Sequence, residues 1–147
     1  MEIQRKQLFA AGKPRGYASG TKAIGARGFV WLSGVVGFDP NTGEIPEGMK
    51  EQTRLTMQNI KSRLADYGTS LKNITLLRLY FKGEFPNGIF NDPKYPECAA
   101  VIEEFWQKNC PEFLRENNPP AMTIVGVTAL ARPQILLEVD VVAAVDD

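Results

Sequence analysis

Two carboxylates, Glu138 and Asp140, lie inside the strand-like run 135–145, which is otherwise apolar. Because successive side chains of a strand point to opposite faces, Glu138 and Asp140 share one face, roughly 7 Å apart. An ionised carboxylate in an apolar core without a partner is very costly. We therefore expect this face to meet a cation, a subunit interface or a ligand pocket.

Each carboxylate also has a structural interpretation. Arg78, on a predicted neighbouring strand, or Lys82 would neutralise it in an ion pair. Perturbed carboxylates gather at functional sites and also in ion-pair networks. Both interpretations stay open for Glu138, whereas the structural one is favoured for Asp140.

The chain has no histidine, which excludes Ser-His-Asp and Cys-His catalysis within it and removes the commonest zinc ligand. Its two cysteines have neither a disulfide framework nor the spacing of a metal site. Cys98 falls on the apolar face of a predicted helix, so we expect it in the core. Cys110, which precedes Pro111 at the end of that helix, is a candidate for exposure. We predict no metal and no organic cofactor.

Composition argues against two partner classes. Among 147 residues, 17 basic and 17 acidic side chains cancel, so no charge excess indicates nucleic acid or a membrane surface. A hydrophobic content of 44% and a charged content of 23% are ordinary for a globular protein. Residues 1–6 lack the apolar stretch of a signal peptide, and no later run has membrane-spanning length. A cytoplasmic location is the default expectation.

Turn-forming residues and β-branched runs divide the chain into short elements. The segment 13–20 is interpreted as a loop carrying Tyr17, followed by a hairpin of residues 22–26 and 29–34 around Arg27-Gly28. Branched and aromatic residues predict further strands over 74–81, 121–127 and 135–145.

Two segments have helical periodicity. Met57, Ile60, Leu64 and Tyr67 step by three and four within a helix from about 49 to 67, which Gly68 ends. The second helix follows an irregular loop over 83–96 and bears Cys98, Val101, Ile102 and Phe105 on one face. The approximate order β-β-β-α-β-α-β-β predicts an α+β domain with two helices on one face of a sheet.

An ordered series of short motifs resembles the Rid family (YjgF-like or L-PSP proteins, the reactive intermediate deaminases). Its anchors, in chain order, are Ser33-Gly34, 39–43 (DPNTG), Glu51-Gln52, Asn59-Ile60 with Leu64, 68–70 (GTS), Pro120-Ala121, and 137–140 (LEVD) with Ala143. The resemblance implies one chorismate-mutase-like domain over 1–147, assembled as a homotrimer with ligand sites in the clefts between subunits.

The resemblance also implies an activity, the hydrolysis of 2-imino or enamine acids to 2-oxo acids and ammonia. The family holds the substrate carboxylate with an arginine after the Pro-Ala pair, where this chain has Met122. Ile124 replaces a cysteine or serine of the family, and Cys98 or Ala99 replaces an asparagine. Methionine cannot pair with a carboxylate, so Arg132 or Arg15 would have to substitute.

The remaining residues of the expected substrate-binding site are Tyr17, Ser33 and Gly34, beside Met122 and Ile124. Glu138 is the expected catalytic residue, which orients the attacking water. By residue type alone, Tyr17 and Met122 are packing residues, and no histidine is present to activate Ser33 as a nucleophile.

Two function classes therefore stay open. The first is a divergent hydrolase or deaminase of a reactive imine, enamine or related metabolite. The second is a non-enzymatic trimer that binds a small-molecule ligand in its clefts. Ribonuclease activity, which one family name suggests, is disfavoured because the chain is neutral and has no basic-aromatic stripe.

Overall fold

A computed structural model describes residues 1–147. The strands and helices, in chain order, are β1 (Glu2–Ala10), β2 (Lys13–Ile24), β3 (Gly28–Trp31), β4 (Val35–Val36), α1 (Met49–Asp66), β5 (Ile74–Lys82), α2 (Lys94–Asn109), β6 (Ala121–Val127) and β7 (Leu137–Val145). Four strands precede α1, one more than expected. Neither helix is long and apolar enough to cross a membrane.

The strands form one mixed sheet in the order β1-β2-β6-β5-β7-β3, and β4 pairs with β7 outside this path. β6 runs parallel to β2 and β5, and the other neighbours are antiparallel. β5 and β7 are inner strands of this sheet, and their branched and aromatic residues fit a pleated surface that is covered on one side. Glu138 therefore lies on an inner strand, with partner strands on both sides.

The amino-terminal segment corrects two expectations. Residues 13–20, interpreted as a loop, belong to β2, which forms a hairpin with β1. Ala11 and Gly12 both have positive φ, 52° and 74°, as the tight turns that match strand twist require. The hairpin expected around Arg27-Gly28 is absent, because β3 pairs with β7 instead. Tyr17 is consequently held in a strand.

Helix α1 agrees with its periodicity except at its end. Met57, Ile60 and Leu64 are buried, but Tyr67 is 64% exposed. The helix ends at Asp66, and Gly68 follows with a φ of 71°, a left-handed conformation that glycine adopts without strain. The chain has already turned away at Tyr67, which explains why that side chain misses the core.

Helix α2 begins earlier than expected, at Lys94, so Pro96 lies in its first turn, where a missing N–H removes no helical hydrogen bond. Cys98 is in the core as predicted, whereas Cys110 is also buried and its predicted exposure is wrong. Burial raises the pKa of both thiols to about 12. Neither cysteine is therefore a thiolate nucleophile near neutral pH.

The sheet has two different faces. On the helix face, Leu77, Leu79, Phe81, Val139 and Val141 are almost fully buried and pack with α1 and α2 into one hydrophobic core. The opposite side, which we call the open face, carries the alternate residues of β5 and β7. Two helices on one face of a mixed sheet confirm the predicted α+β architecture.

Candidate functional site

The predicted site residues separate between the two faces of the sheet. Met122 lies beside Leu77 in the parallel β5–β6 register, so it points to the helix face. Glu138 lies opposite Tyr80 in the antiparallel β5–β7 register. Because Leu77 and Tyr80 are three residues apart on one strand, they point to opposite faces. A single chain therefore does not bring Met122 and Glu138 together.

Glu138 has no hydrogen-bond or ion-pair partner within the chain, although the residue is half-buried. It lines a cavity of about 370 Å³ with Gly34, Val36, Ile45 and Arg132. All four lone-pair sites of the ionised carboxylate are free to accept hydrogen bonds. We call this space the Glu138 cavity.

Gly34 makes room for the Glu138 carboxylate. A Cβ atom built on Gly34 would lie 2.5 Å from Oε2 of Glu138 and 2.7 Å from its Cδ, closer than real Cβ contacts. The carboxylate thus rests directly on the backbone of the β3–β4 connection. The neighbouring Ser33 is exposed and does not line the cavity.

Asp140 is bonded on the same face. Nε of Arg78 donates to its Oδ1 at 2.8 Å, Nη2 of Arg78 donates to Oδ2 at 3.0 Å, and the Tyr80 hydroxyl donates to Oδ2 at 3.2 Å. This bidentate pair confirms the prediction that Arg78 would neutralise a carboxylate of β7. The hydrogen bond with Asp140, together with its charge, raises the pKa of Arg78. Asp140 is therefore a structural residue.

Two buried amides of α1 hold the walls of the Glu138 cavity. The Gln52 side chain donates to the carbonyls of Pro46 and Gln134, at 2.9 and 2.8 Å, and accepts from the Leu136 N–H at 2.8 Å. Asn59 donates to the carbonyls on either side of Gly37, in Val36 and Phe38. From the sequence, Gln52 and Asn59 were named only among the motifs that carry the family resemblance. The signal that could have identified their role is a row of polar residues on the buried side of an amphipathic helix.

Arg132 lies at the mouth of the Glu138 cavity, exposed, and forms no ion pair with Glu138. Arg132 is one of the two predicted substitute cations, and its guanidinium forms no ion pair within the chain. No group of three or more His, Cys, Asp or Glu side chains is arranged to hold a metal ion.

Tyr17 and Met122 line a second cavity of about 260 Å³ on the helix face, which we call the aromatic cavity. Its aromatic lining is completed by Phe90, Tyr95, Trp106 and Phe113. Ala99 lines it as well, whereas Cys98 is in the core. Ile124 lines neither cavity and packs against the core.

A family model described as Endoribonuclease L-PSP matches residues 13–145. The chain belongs to the YjgF/L-PSP family. A RutC family protein from Pyrococcus abyssi is 27% identical over 142 residues, covering 96% of this chain and 98% of the relative. A RutC family protein from Saccharolobus solfataricus is 30% identical over 135 residues, covering 90% of each protein.

Solved structures of this family share the fold. The Rid-family protein YyfB from Yersinia pestis superposes with a TM-score of 0.67 at 23% identity, covering 88% of this chain and 87% of that chain. TdcF from E. coli, solved with bound serine, superposes with a TM-score of 0.63 at 22% identity, covering 95% of this chain and 92% of that chain.

The range matched by the YjgF/L-PSP model includes both cavities. Tyr17, Met122 and Glu138 lie within residues 13–145, whereas β1 (Glu2–Ala10) lies before that range. The hairpin partner of β2 is therefore outside the match, although β2 itself contributes Tyr17 to the aromatic cavity.

Proposed function

We propose that this protein is a cofactor-independent hydrolase of reactive imine or enamine metabolites, divergent from ordinary 2-imino-acid deaminases. The observation that carries the proposal is the contrast on β7 between Glu138, which lies unpaired at a cavity, and Asp140, which is hydrogen-bonded by Arg78 and Tyr80. A half-buried carboxylate with free lone pairs is suited to accept a proton from water. Membership of a family with Rid proteins supports the substrate class.

The reaction requires one general base and one water molecule. Glu138 accepts a proton from water while the water oxygen bonds to the imine carbon, and the C=N electron pair moves to nitrogen. That nitrogen takes up the proton, giving a carbinolamine. A further proton transfer to nitrogen, and loss of the hydroxyl proton, break the C–N bond and release ammonia and a carbonyl product. No electrons are exchanged with an external oxidant or reductant.

A second copy of the chain would complete this site. Tyr17 and Met122 belong to the helix face and Glu138 to the open face, so both halves meet only if two subunits contribute. The open face has a surface suited to such contact, because Phe29 and Trp31 on the edge strand β3 are 42% and 70% exposed. We therefore propose the homotrimer that the family resemblance implies, with ligand clefts between subunits.

This chain diverges from the family at the position that binds the substrate carboxylate. Met122 replaces the arginine expected after Pro120-Ala121, and its thioether makes the cavity apolar. A simple imino acid would lack a bidentate partner there. TdcF with bound serine supports a small amino-acid-like ligand in this fold. The alternative is a trimer that binds a metabolite without transforming it.

The test is direct. An amino-acid oxidase generates imino acids from a panel of amino acids, and ammonia release is followed with and without the protein. We expect acceleration for at least one imine and a loss of about 10²–10⁴-fold in the Glu138→Gln variant. Asp140→Asn is the matched control on the same strand and face. Absence of acceleration for every imine would leave only the binding alternative.

A further inference from the structure

The aromatic cavity has a composition unlike the Glu138 cavity. Tyr17, Phe90, Tyr95, Trp106 and Phe113 surround about 260 Å³, between β2, β6 and α2. A dry cavity of roughly 150 Å³ is enough to hold benzene. The space therefore accommodates one aromatic ring together with a short chain.

Two arginines stand at the rim of this cavity without acidic partners. Arg15 and Arg115 both line it, and neither forms an ion pair within the chain. Nη1 of Arg115 donates to the Pro14 carbonyl at 3.4 Å, and its Nη2 would lie 3.6 Å from a Cβ built on Gly16. The guanidinium of Arg115 thus lies across β2, and most of its five N–H groups have no partner in the protein.

The positive charges of Arg15 and Arg115 also act on Tyr95, which lines the cavity. Burial raises the pKa of Tyr95, and the positive charges of Arg115 and Arg15 oppose this shift. Glu103 is the one carboxylate among the lining residues, so the cavity has an excess of one positive charge. An apolar interior below two unpaired guanidinium groups matches a ligand with an aromatic body and an anionic end.

We infer that the aromatic cavity binds an aromatic carboxylate, with its ring among Tyr17, Tyr95 and Trp106 and its carboxylate on Arg15 and Arg115. This inference rests on the proposed function where it names the substrate class of that site, an imine or enamine acid with an aromatic side chain. The two arginines then replace the carboxylate clamp that Met122 removes. They approach from the rim, so the ligand ring lies deeper in the cavity than its charge.

Calorimetric titration of the wild-type protein with 3-phenylpropanoate tests the inference. Two matched probes separate its parts, since 3-phenylpropanamide keeps the ring without the charge and propanoate keeps the charge without the ring. We expect 3-phenylpropanoate to bind at least about tenfold more tightly than either, because an ionic hydrogen bond and aromatic burial are each lost in one probe. Equal affinity for the acid and the amide, or no binding of the acid at millimolar concentration, would overturn the inference.

Variants locate the site. The double variant Arg15→Gln/Arg115→Gln is expected to weaken 3-phenylpropanoate binding about tenfold or more. Arg27→Gln removes the same charge from an exposed residue outside the cavity and is expected to bind like the wild type. Ala99→Trp fills the cavity and is expected to abolish binding. Circular dichroism on each variant establishes that it is folded, and unchanged affinity in the folded double variant contradicts the inference.

The outcome is separable from that of the proposed function. Glu138→Gln leaves the aromatic cavity intact, so it is expected to bind 3-phenylpropanoate normally while losing turnover. If the wild-type protein binds 3-phenylpropanoate but hydrolyses no imine, the hydrolase proposal is contradicted and the aromatic-acid site is supported. If the protein hydrolyses an imine but does not bind the aromatic acid, and turnover does not depend on Arg15 and Arg115, the aromatic-acid site is contradicted and the hydrolase proposal stands.

Discussion

Glu138 and Asp140 lie two residues apart on one face of β7, yet they differ in every polar interaction. Asp140 is bonded by Arg78 and Tyr80 at 2.8–3.2 Å, whereas Glu138 has no partner and rests against Gly34. A carboxylate whose lone pairs are used by neighbouring strands stabilises the sheet, and one whose lone pairs are free can serve a ligand. The partner residues, and not the alternation along the strand, separate the two roles.

The largest expected effect comes from removing the hydrogen bonds that hold the wall of the Glu138 cavity. Gln52→Ala leaves the carbonyls of Pro46 and Gln134 and the N–H of Leu136 without their partners. The last two groups come just before Glu138 in the chain. We expect the free energy of unfolding to fall on the order of 4 kcal/mol, measured by urea denaturation. Gln58→Ala, exposed on the same helix, is the matched control and should change stability little. Equal effects of the two variants would contradict the role assigned to Gln52.

A second substitution displaces the Glu138 carboxylate without removing it. A methyl group on Gly34 would lie 2.5 Å from Oε2, so Gly34→Ala should shift that oxygen. Displacement of a catalytic group by about 1 Å costs roughly 10²-fold in rate. We therefore expect turnover to fall about 100-fold, measured with the imine that the wild-type protein hydrolyses fastest.

Gly20→Ala is the control for that substitution, because nothing lies within 4 Å of a Cβ at that position. Its activity should match the wild type. If Gly34→Ala also keeps full activity, Glu138 is not positioned by this contact and the catalytic assignment weakens.

The comparison also shows where sequence reasoning works in this fold and where it fails. The strands 74–81 and 121–127 and the core of α1 were predicted because their periodicity is local. The pairing of β3 with β7 and the strand identity of residues 13–20 were missed. These features depend on long-range pairing, which a run containing Pro14, Gly16 and Gly20 does not reveal.

For the candidate site, as for the fold, local features were predicted and features that depend on strand pairing were not. Alternation correctly put Glu138 and Asp140 on one face, and Arg78 was one of the two cations named, with Lys82, as a neutralising partner. The difference between the two carboxylates depends on register, since Tyr80 lies opposite Glu138 but bonds Asp140 diagonally. No single-strand pattern contains that information. The aromatic cavity was likewise hidden, because its walls come from at least five separated segments of the chain.

The third prediction concerns what covers Glu138 in solution. If a second copy packs on the open face, Trp31→Ser should weaken assembly, because a buried aromatic anchor typically contributes about 2 kcal/mol or more at an interface. We expect the dissociation constant of each subunit interface to rise about 30-fold, determined by light scattering over a dilution series. Tyr67→Ser removes a similarly exposed aromatic at the end of α1 and should leave assembly unchanged. A wild-type monomer at micromolar concentration would contradict the trimer.

The smallest expected effect separates the two carboxylates by stability alone. Asp140→Asn removes the charge that pairs with Arg78, but the pair is partly exposed, with 44% and 23% of the Arg78 and Asp140 side chains accessible. We therefore expect the melting temperature to fall by no more than about 4 °C. The loss should shrink in 1 M NaCl, because salt screens a partly exposed ion pair. Glu138→Gln replaces a carboxylate that has no partner to lose, so its melting temperature should stay constant at both salt concentrations. A larger loss for Glu138→Gln than for Asp140→Asn would reverse the assignment, since an unpaired carboxylate cannot stabilise the fold through a bond it does not make.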